Sequence, residues 1–287
     1  MKKTALAVLS LLSVSAFAQK TEGVLTYTQK TDLSSRMQNM DPAMKARMPE
    51  SITSQFQLAF TPQEALYEPA TAVDDNAGGF GGGSGGGPGG GGPGGGGPGG
   101  GGPMRFGGGS KTTVYTQIAE RKRVDVRDGF GEKYRILDTL VNQRWKLAKE
   151  TKTIKGFVCQ KATFTDTMQV QQRMMMGPGG PPSGGNQNEE NQGPKTRTIV
   201  AWYAPEIPVP IGPERYSGLP GLILEVDINN GETLYTVTEM EWRKPKSSEL
   251  KAPKGGKAIT EQEYREIMKK KMEEMMKNGG GRTRPNN

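Results

Sequence analysis

The sequence predicts a mainly β protein: an antiparallel, strongly curved sheet or half-open barrel with one or two covering helices and disordered Gly/Pro-rich inserts. Three observations carry this. Short apolar runs at period two recur along the chain between short turns, as half-buried strands do. None of these runs is followed by a crossover helix, which argues against a doubly wound parallel sheet. The 42 Gly and 20 Pro are crowded into a few stretches that cannot be core, and removing those stretches leaves about two hundred residues, enough for one domain.

The elements follow in order. Met1-Lys2-Lys3, the apolar run Ala5 to Val14 and Ala16-Phe17-Ala18 form a charged region, a hydrophobic region and a cleavage site. Residues 1–18 therefore read as a signal peptide. Gln19 follows rather than Cys, so there is no lipobox, and the mature chain is expected to be periplasmic or secreted. The apolar run is shorter than the roughly 20 residues a membrane span needs. No later stretch is more apolar, so no transmembrane segment is expected in the mature chain.

Residues 19–77 form the N-terminal part of the β domain. Val24 to Thr31 alternates, and Phe56, Leu58 and Phe60 fall at period two, stop at Thr61-Pro62-Gln63 and resume at Ala65 to Tyr67, as in a hairpin. Between them Met37, Met40, Met44 and Met48 recur at helical intervals, although Pro42 forces a break or a new first turn there. In residues 78–109, 23 of 32 positions are Gly, with Pro88, Pro93, Pro98 and Pro103 spaced by five. Collagen needs Gly at every third residue, so this is a flexible insert.

Residues 110–167 resume the sheet, with strands expected at Thr112 to Ala119, Arg123 to Arg127, Lys133 to Asp138, Gln143 to Glu150 and Gly156 to Phe164. Residues 168–195 are a second low-complexity insert. Residues 196–242 contain a strand from Thr196 to Tyr203, a Pro-rich segment and a hairpin. Residues 243–287 form a basic tail with an amphipathic helix over 260–277. There Thr260 and Glu263 make a capping box, and Tyr264, Ile267, Met268, Met272, Met275 and Met276 make one stripe before Gly279. From Trp242 onward 13 Lys and Arg face 6 Asp and Glu, so the tail carries the excess of a chain whose net charge is +8. In an exported protein that charge points to anionic lipid or an acidic partner, and no nucleic-acid partner is expected.

The segment from Ala201 to Leu224 is the least generic. Its prolines force an extended path. Leu219-Pro220-Gly221-Leu222 fits a type II turn with positive φ at Gly221. The strand Leu222 to Ile228 then meets Asn230-Gly231, the signal of a two-residue type I′ hairpin, and returns as Thr233 to Trp242. That loop fixes the register: Val226 faces Tyr235, Leu224 faces Val237, Glu225 faces Thr236 and Asp227 faces Leu234.

Gly218-Leu219-Pro220-Gly221-Leu222-Ile223 resembles the signature of the GLPGLI, or Porph_ging, family of exported Bacteroidota proteins. The resemblance extends to Ala201-Trp202-Tyr203, to Trp145-Lys146-Leu147, to Glu150-Thr151-Lys152 and to Gly156 through Ala162. It implies a secreted or periplasmic, mainly antiparallel β protein, sometimes considered beside outer-membrane transport systems. It implies no catalytic residue.

The candidate chemistries are few. With no His and one Cys, His-based triads, zinc sites with His, CxxC pairs and an internal disulfide are excluded. Cys159 in an alternating run reads as a small buried hydrophobe rather than a reactive thiol. The Met clusters, including Met174-Met175-Met176, would suit Cu(I), but two of the three sets fall at helical spacing, where Met is ordinary packing; no metal site and no cofactor is assigned. Glu206, Glu214, Glu225 and Asp227 surround the motif, but they match no catalytic pattern, hydrolase included, and the chain is expected not to be an enzyme.

Binding remains. One reading is carriage of a hydrophobic ligand or lipid on the sheet's apolar face, with Trp202, Tyr203, Tyr216, Leu219 and Leu222 lining the groove. The other is a protein-interaction or accessory role beside an outer-membrane protein partner, with Pro205 to Pro220 as an exposed docking edge.

Overall fold

The computed structural model describes residues 20–35, 37–38, 41–46, 48–70, 112–140, 143–168 and 195–279. The stretches read as a signal peptide and as an insert at 78–109, nearly all of that read as an insert at 168–195, and the end after Gly279 lie outside the described residues.

Twelve strands form one sheet that does not close into a barrel. They are β1 (Gly23–Asp32), β2 (Ser51–Phe60), β3 (Glu64–Pro69), β4 (Thr113–Gln117), β5 (Lys122–Gly129), β6 (Glu132–Thr139), β7 (Lys146–Ile154), β8 (Phe157–Met168), β9 (Lys195–Ala204), β10 (Leu222–Ile228), β11 (Thr233–Glu241) and β12 (Lys257–Thr260). The order is β12-β6-β5-β4-β3-β2-β1-β11-β10-β9-β8-β7. Two antiparallel meanders, β1 to β6 and β7 to β11, are joined where β1 pairs with β11. Each run of alternating residues became a strand because its apolar set lies on one face of the pleat. Met168 and Lys195, read as ends of an insert, instead close β8 and open β9.

Three expectations are revised. Of the Met37 to Met48 series the described residues keep one helical turn, α1 (Pro42–Lys45), which opens at Pro42 as a new first turn. The β10–β11 register is as expected from Glu225↔Thr236 to Ile228↔Thr233, but the loop has four residues rather than two. Asn229 is drawn away: its N–H donates to the Thr198 carbonyl at 2.9 Å, and Asn229, Asn230 and Gly231 all have positive φ. Type I′ geometry appears elsewhere, at Phe130-Gly131 between β5 and β6 and at Lys155-Gly156 between β7 and β8, where both central residues have positive φ. Lastly, Gly221 is not in the left-handed region, so Leu219-Pro220-Gly221-Leu222 is not a type II turn; Gly218, at φ 86°, takes the left-handed position instead.

β12 was not foreseen. It pairs in parallel with β6 and leads directly into α2 (Glu261–Gly279), which covers β6 and β12. The capping box forms as read: the Glu263 amide donates to Thr260 Oγ1 at 3.2 Å, and the Thr260 amide donates to Glu263 Oε2 at 2.7 Å. Tyr264, Ile267 and Met268 pack on Tyr134, Ile136 and Ile259, a small second core.

The main core fills the inner face of the other strands except β5. It includes Tyr27, Phe56, Leu58, Tyr67, Ala201, Tyr203, Val226 and Tyr235. On β5 that same inner face carries charge instead. Arg123, Asp125 and Arg127 alternate at period two, and Arg123 and Asp125 are buried. Asp125 bridges both arginines at 2.8 Å, Arg123 reaches Asp138 at 3.0 Å, and Arg127 reaches Glu261 of α2 at 3.2 Å. Burial disfavours the Arg127 charge, but Glu261 and Asp125 outweigh it and hold this guanidinium above its ordinary value.

Candidate functional site

The motif segment is built inward from the end of β9. Ile207, Val209 and Ile211 are buried while Pro208 between them is exposed, the in-out pattern of an extended strip. The Val209 amide donates to the Ile207 carbonyl at 2.7 Å and the Ile211 amide to the Val209 carbonyl at 2.9 Å. Pro208 and Pro210 thus sit at the centres of two successive three-residue turns, which suit their fixed φ. The Leu222 amide donates to Ile207 and the Ile223 amide to Ile211, so the segment folds back along its own start.

Gly221 is required by proximity. A Cβ there would lie 2.2 Å from the Ala204 carbonyl oxygen and 2.7 Å from its carbon. The chain leaves β9 at Ala204 and enters β10 at Leu222 through that contact, and Leu219, Leu222 and Ile223 drop into the core.

The start of the same meander pins the loop. Trp145 Nε1 donates to the Ser217 carbonyl at 2.9 Å, Gln143 Nε2 donates to the Arg215 carbonyl at 3.2 Å, and the Ser217 amide donates to Gln143 Oε1 at 3.1 Å. Asp166 accepts from Arg197 at 2.8 Å and from Arg215 at 3.4 Å. Rings continue the link, Trp145 to Phe164 at 4.7 Å, Phe164 to Tyr216 and Tyr216 to Tyr235, each of these last two at 6.4 Å.

Beneath this loop is a cavity of about 10 Å³, room for about one water, lined by Tyr67, Thr116, Arg123, Glu214, Tyr216 and Ser217 among others. Glu214 has positive φ and stands near three phenols. Burial raises Tyr67 and Tyr235 well above the ordinary phenol value, and the negative charge of Glu214 adds to it. Tyr216 is pushed up to about 12, first by burial and then by Glu214, with Arg215 and Arg197 opposing. The site therefore keeps these three tyrosines protonated near neutral pH.

The five residues read as lining a ligand groove fall in two places. Tyr203, Tyr216, Leu219 and Leu222 are all at most 2% exposed and belong to the core. Trp202 points to the opposite face, half-buried, with the Lys152 ammonium 4.6 Å from its ring centre and the Lys152–Glu225 ion pair at 2.5 Å beside it. Pro205 to Pro220 is largely buried rather than an exposed docking edge; the residues it shows are Pro205, Glu206, Pro208, Gly218 and Pro220.

Cys159 is fully buried, and burial pushes its thiol up to about 11, so it is inert packing. The carboxylates near the motif serve separate partners: Glu225 holds Lys152, Asp227 accepts from the Gly231 amide at 2.6 Å, and Glu206 faces solvent. Met37 is buried, Met268 packs in the second core, and Met174-Met175-Met176 lies outside the described residues. Among the described residues no group of three His, Cys, Asp or Glu could hold a metal, and no helix is long and apolar enough to cross a membrane.

Sequence reasoning missed Gln143, Arg123 and Asp125. The signal for the last two was charge repeating at period two along a strand, which places like-facing charges on one side of the sheet. Gln143 had none, because its role depends on a loop more than 70 residues away.

The scaffold that holds the motif runs from Trp145 to the β10 strand, and sequence comparison matches the same stretch. Residues 145–225 match Porph_ging, a family described as a protein of unknown function. The Porph_ging stretch begins at the indole that clasps Ser217 and ends at the carboxylate that holds Lys152, so it coincides with β7 to β10 and the loop between. No curated protein matches the chain. Among solved structures it is similar to PNGF-II in a C2 crystal form, at TM-score 0.47 and 12% identity over 87% of this chain and 33% of that one. PNGF-II in a P21 form gives 0.46 and 13% over 87% and 34%. The chain thus spans about a third of the PNGF-II chain. LprF from Mycobacterium bovis gives 0.25 and 8% over 78% of this chain and 88% of its own.

Proposed function

We propose that this is an exported, non-enzymatic binding protein of the cell envelope that works by holding a protein partner on its surface, not by enclosing a ligand. Export rests on the signal-peptide pattern of residues 1–18. The observation that carries the choice is the filling of the inner face. Where a hydrophobic cargo would lie, the protein places its own Ile207, Val209, Ile211 and Leu219, each at most 3% exposed. The cavity under the loop, about 10 Å³, is far below the roughly 300 Å³ at which small-molecule pockets begin; the larger space, about 370 Å³, is not on this face but along β12 and α2, edged by Lys257, Glu263, Glu266 and Lys270.

Native mass spectrometry of mature protein purified from the periplasm without detergent, followed by solvent extraction, tests this. The expected result is a bare polypeptide mass. A co-purifying lipid or other hydrophobic mass at near-stoichiometric yield would overturn the reading and make the sheet a carrier whose motif loop must open.

A further inference from the structure

The two ends of the sheet differ. At one end β12 has four residues and is abutted by α2. At the other, β7 has nine residues, and no described strand pairs with its outer edge. That open edge offers backbone donors and acceptors for an added strand, most regularly over Thr151 to Ile154, beyond the irregularity that starts after Leu147.

Its side chains state what that strand should be. In the β7–β8 register Leu147 lies opposite Ala162, Thr151 opposite Gln160 and Thr153 opposite Val158. These share one face, where Leu147 is 60% and Val158 51% exposed, among the large apolar side chains left open to solvent. The other face carries Lys146 and Lys152. Lys152 is taken by Glu225, and Glu150, the strand's only carboxylate, is taken by Lys161 at 3.2 Å. Lys146, Lys149 and the hairpin's Lys155 are exposed and form no ion pair among the described residues.

A second copy of β7 would bring this uncompensated positive charge against itself, which disfavours edge-to-edge self-association. An acidic strand would be attracted by the same lysines. We propose that the outer edge of β7 accepts, by strand addition, an extended segment of a partner protein in which acidic and aliphatic residues alternate. The aliphatic side chains lie along Leu147, Thr151 and Thr153, with Val158 one strand further in, and the acidic ones reach Lys146, Lys149 and Lys155. This rests on the surface-binding reading above and names its site and partner chemistry.

The test uses mature full-length protein and an acetylated ten-residue peptide of alternating Glu and Val, followed by hydrogen-exchange mass spectrometry. Slowed exchange confined to residues 146–154 is expected. A peptide with Lys in place of Glu, and a triple variant Lys146→Glu, Lys149→Glu, Lys155→Glu, should each bind about tenfold or more weakly. Because these lysines are exposed, the variant should melt with the wild type. If it does not, the two peptides on the wild-type protein still decide. No added protection in β7, equal binding of the Lys peptide, or outward-facing β7 amides already slow in the free protein would overturn the proposal. With a bare native mass, such a failure would remove the edge and leave the surface-binding reading standing.

Discussion

The two halves of the sheet solve the same packing problem with opposite chemistry. In the half formed by β7 to β11 the inner face is filled by apolar side chains that the motif loop supplies, locked by a backbone approach at Gly221. In the half formed by β4 to β6 and β12 the inner face of β5 carries Arg123, Asp125 and Arg127, closed by Glu261 from the helix. The first depends on shape and tolerates no added atom. The second depends on complete pairing, since a buried charge without its partner costs several kcal/mol.

Three substitutions test that difference. Gly221→Ala should have the largest effect. The new methyl meets backbone, which cannot rotate away, so the expected loss is about 3 kcal/mol or more, and the protein should fail to give a cooperative melt. A Gly221→Ala variant that melts with the wild type would show that the loop does not approach Ala204 so closely. Asp125→Asn comes next. It leaves two arginines short of their shared carboxylate while Arg123 keeps Asp138 and Arg127 keeps Glu261, and about 2–3 kcal/mol should be lost in urea denaturation. If the loss is under about 1 kcal/mol, the ladder is solvated and behaves as a surface network.

The smallest effect is expected outside both halves, after β11. Arg243 donates to both carboxylate oxygens of Glu249, at 2.8 and 2.7 Å. The hydrogen bonds from Arg243 hold the Glu249 carboxyl at about 2, against an ordinary value of 4.5. A carboxyl lowered in the folded state stabilises above its unfolded value, and that stability is lost as pH falls through the folded value. Melting temperature should therefore drop between pH 4.5 and pH 2 slightly more for the wild type than for Glu249→Gln. Parallel curves would mean that the pair contributes nothing.

Most of the fold was readable from local pattern. Period-two runs located eleven of the strands, and the Thr260–Glu263 box located the start of α2. The Asn230-Gly231 signal gave the correct register but the wrong loop length, because the Asn229 bond to Thr198 belongs to a third strand. β12 escaped notice because four residues show little periodicity, and its partner β6 lies more than a hundred positions earlier.

The candidate site was readable only as an unusual string. The sequence by itself determined that residues 201–224 are constrained, that the chain is a β protein with two low-complexity inserts, and that His chemistry is absent. Those properties follow from composition and from interactions within a few residues. Only the tertiary structure decided that Tyr203, Tyr216, Leu219 and Leu222 are core rather than groove, that Gly221 serves proximity rather than a turn, and that β7 is left as an open edge. Each of these depends on which distant backbone lies alongside, at Ala204, at Gln143 and Trp145, or at no described strand. A local pattern carries the hydrophobicity of a face but not the identity of what covers it.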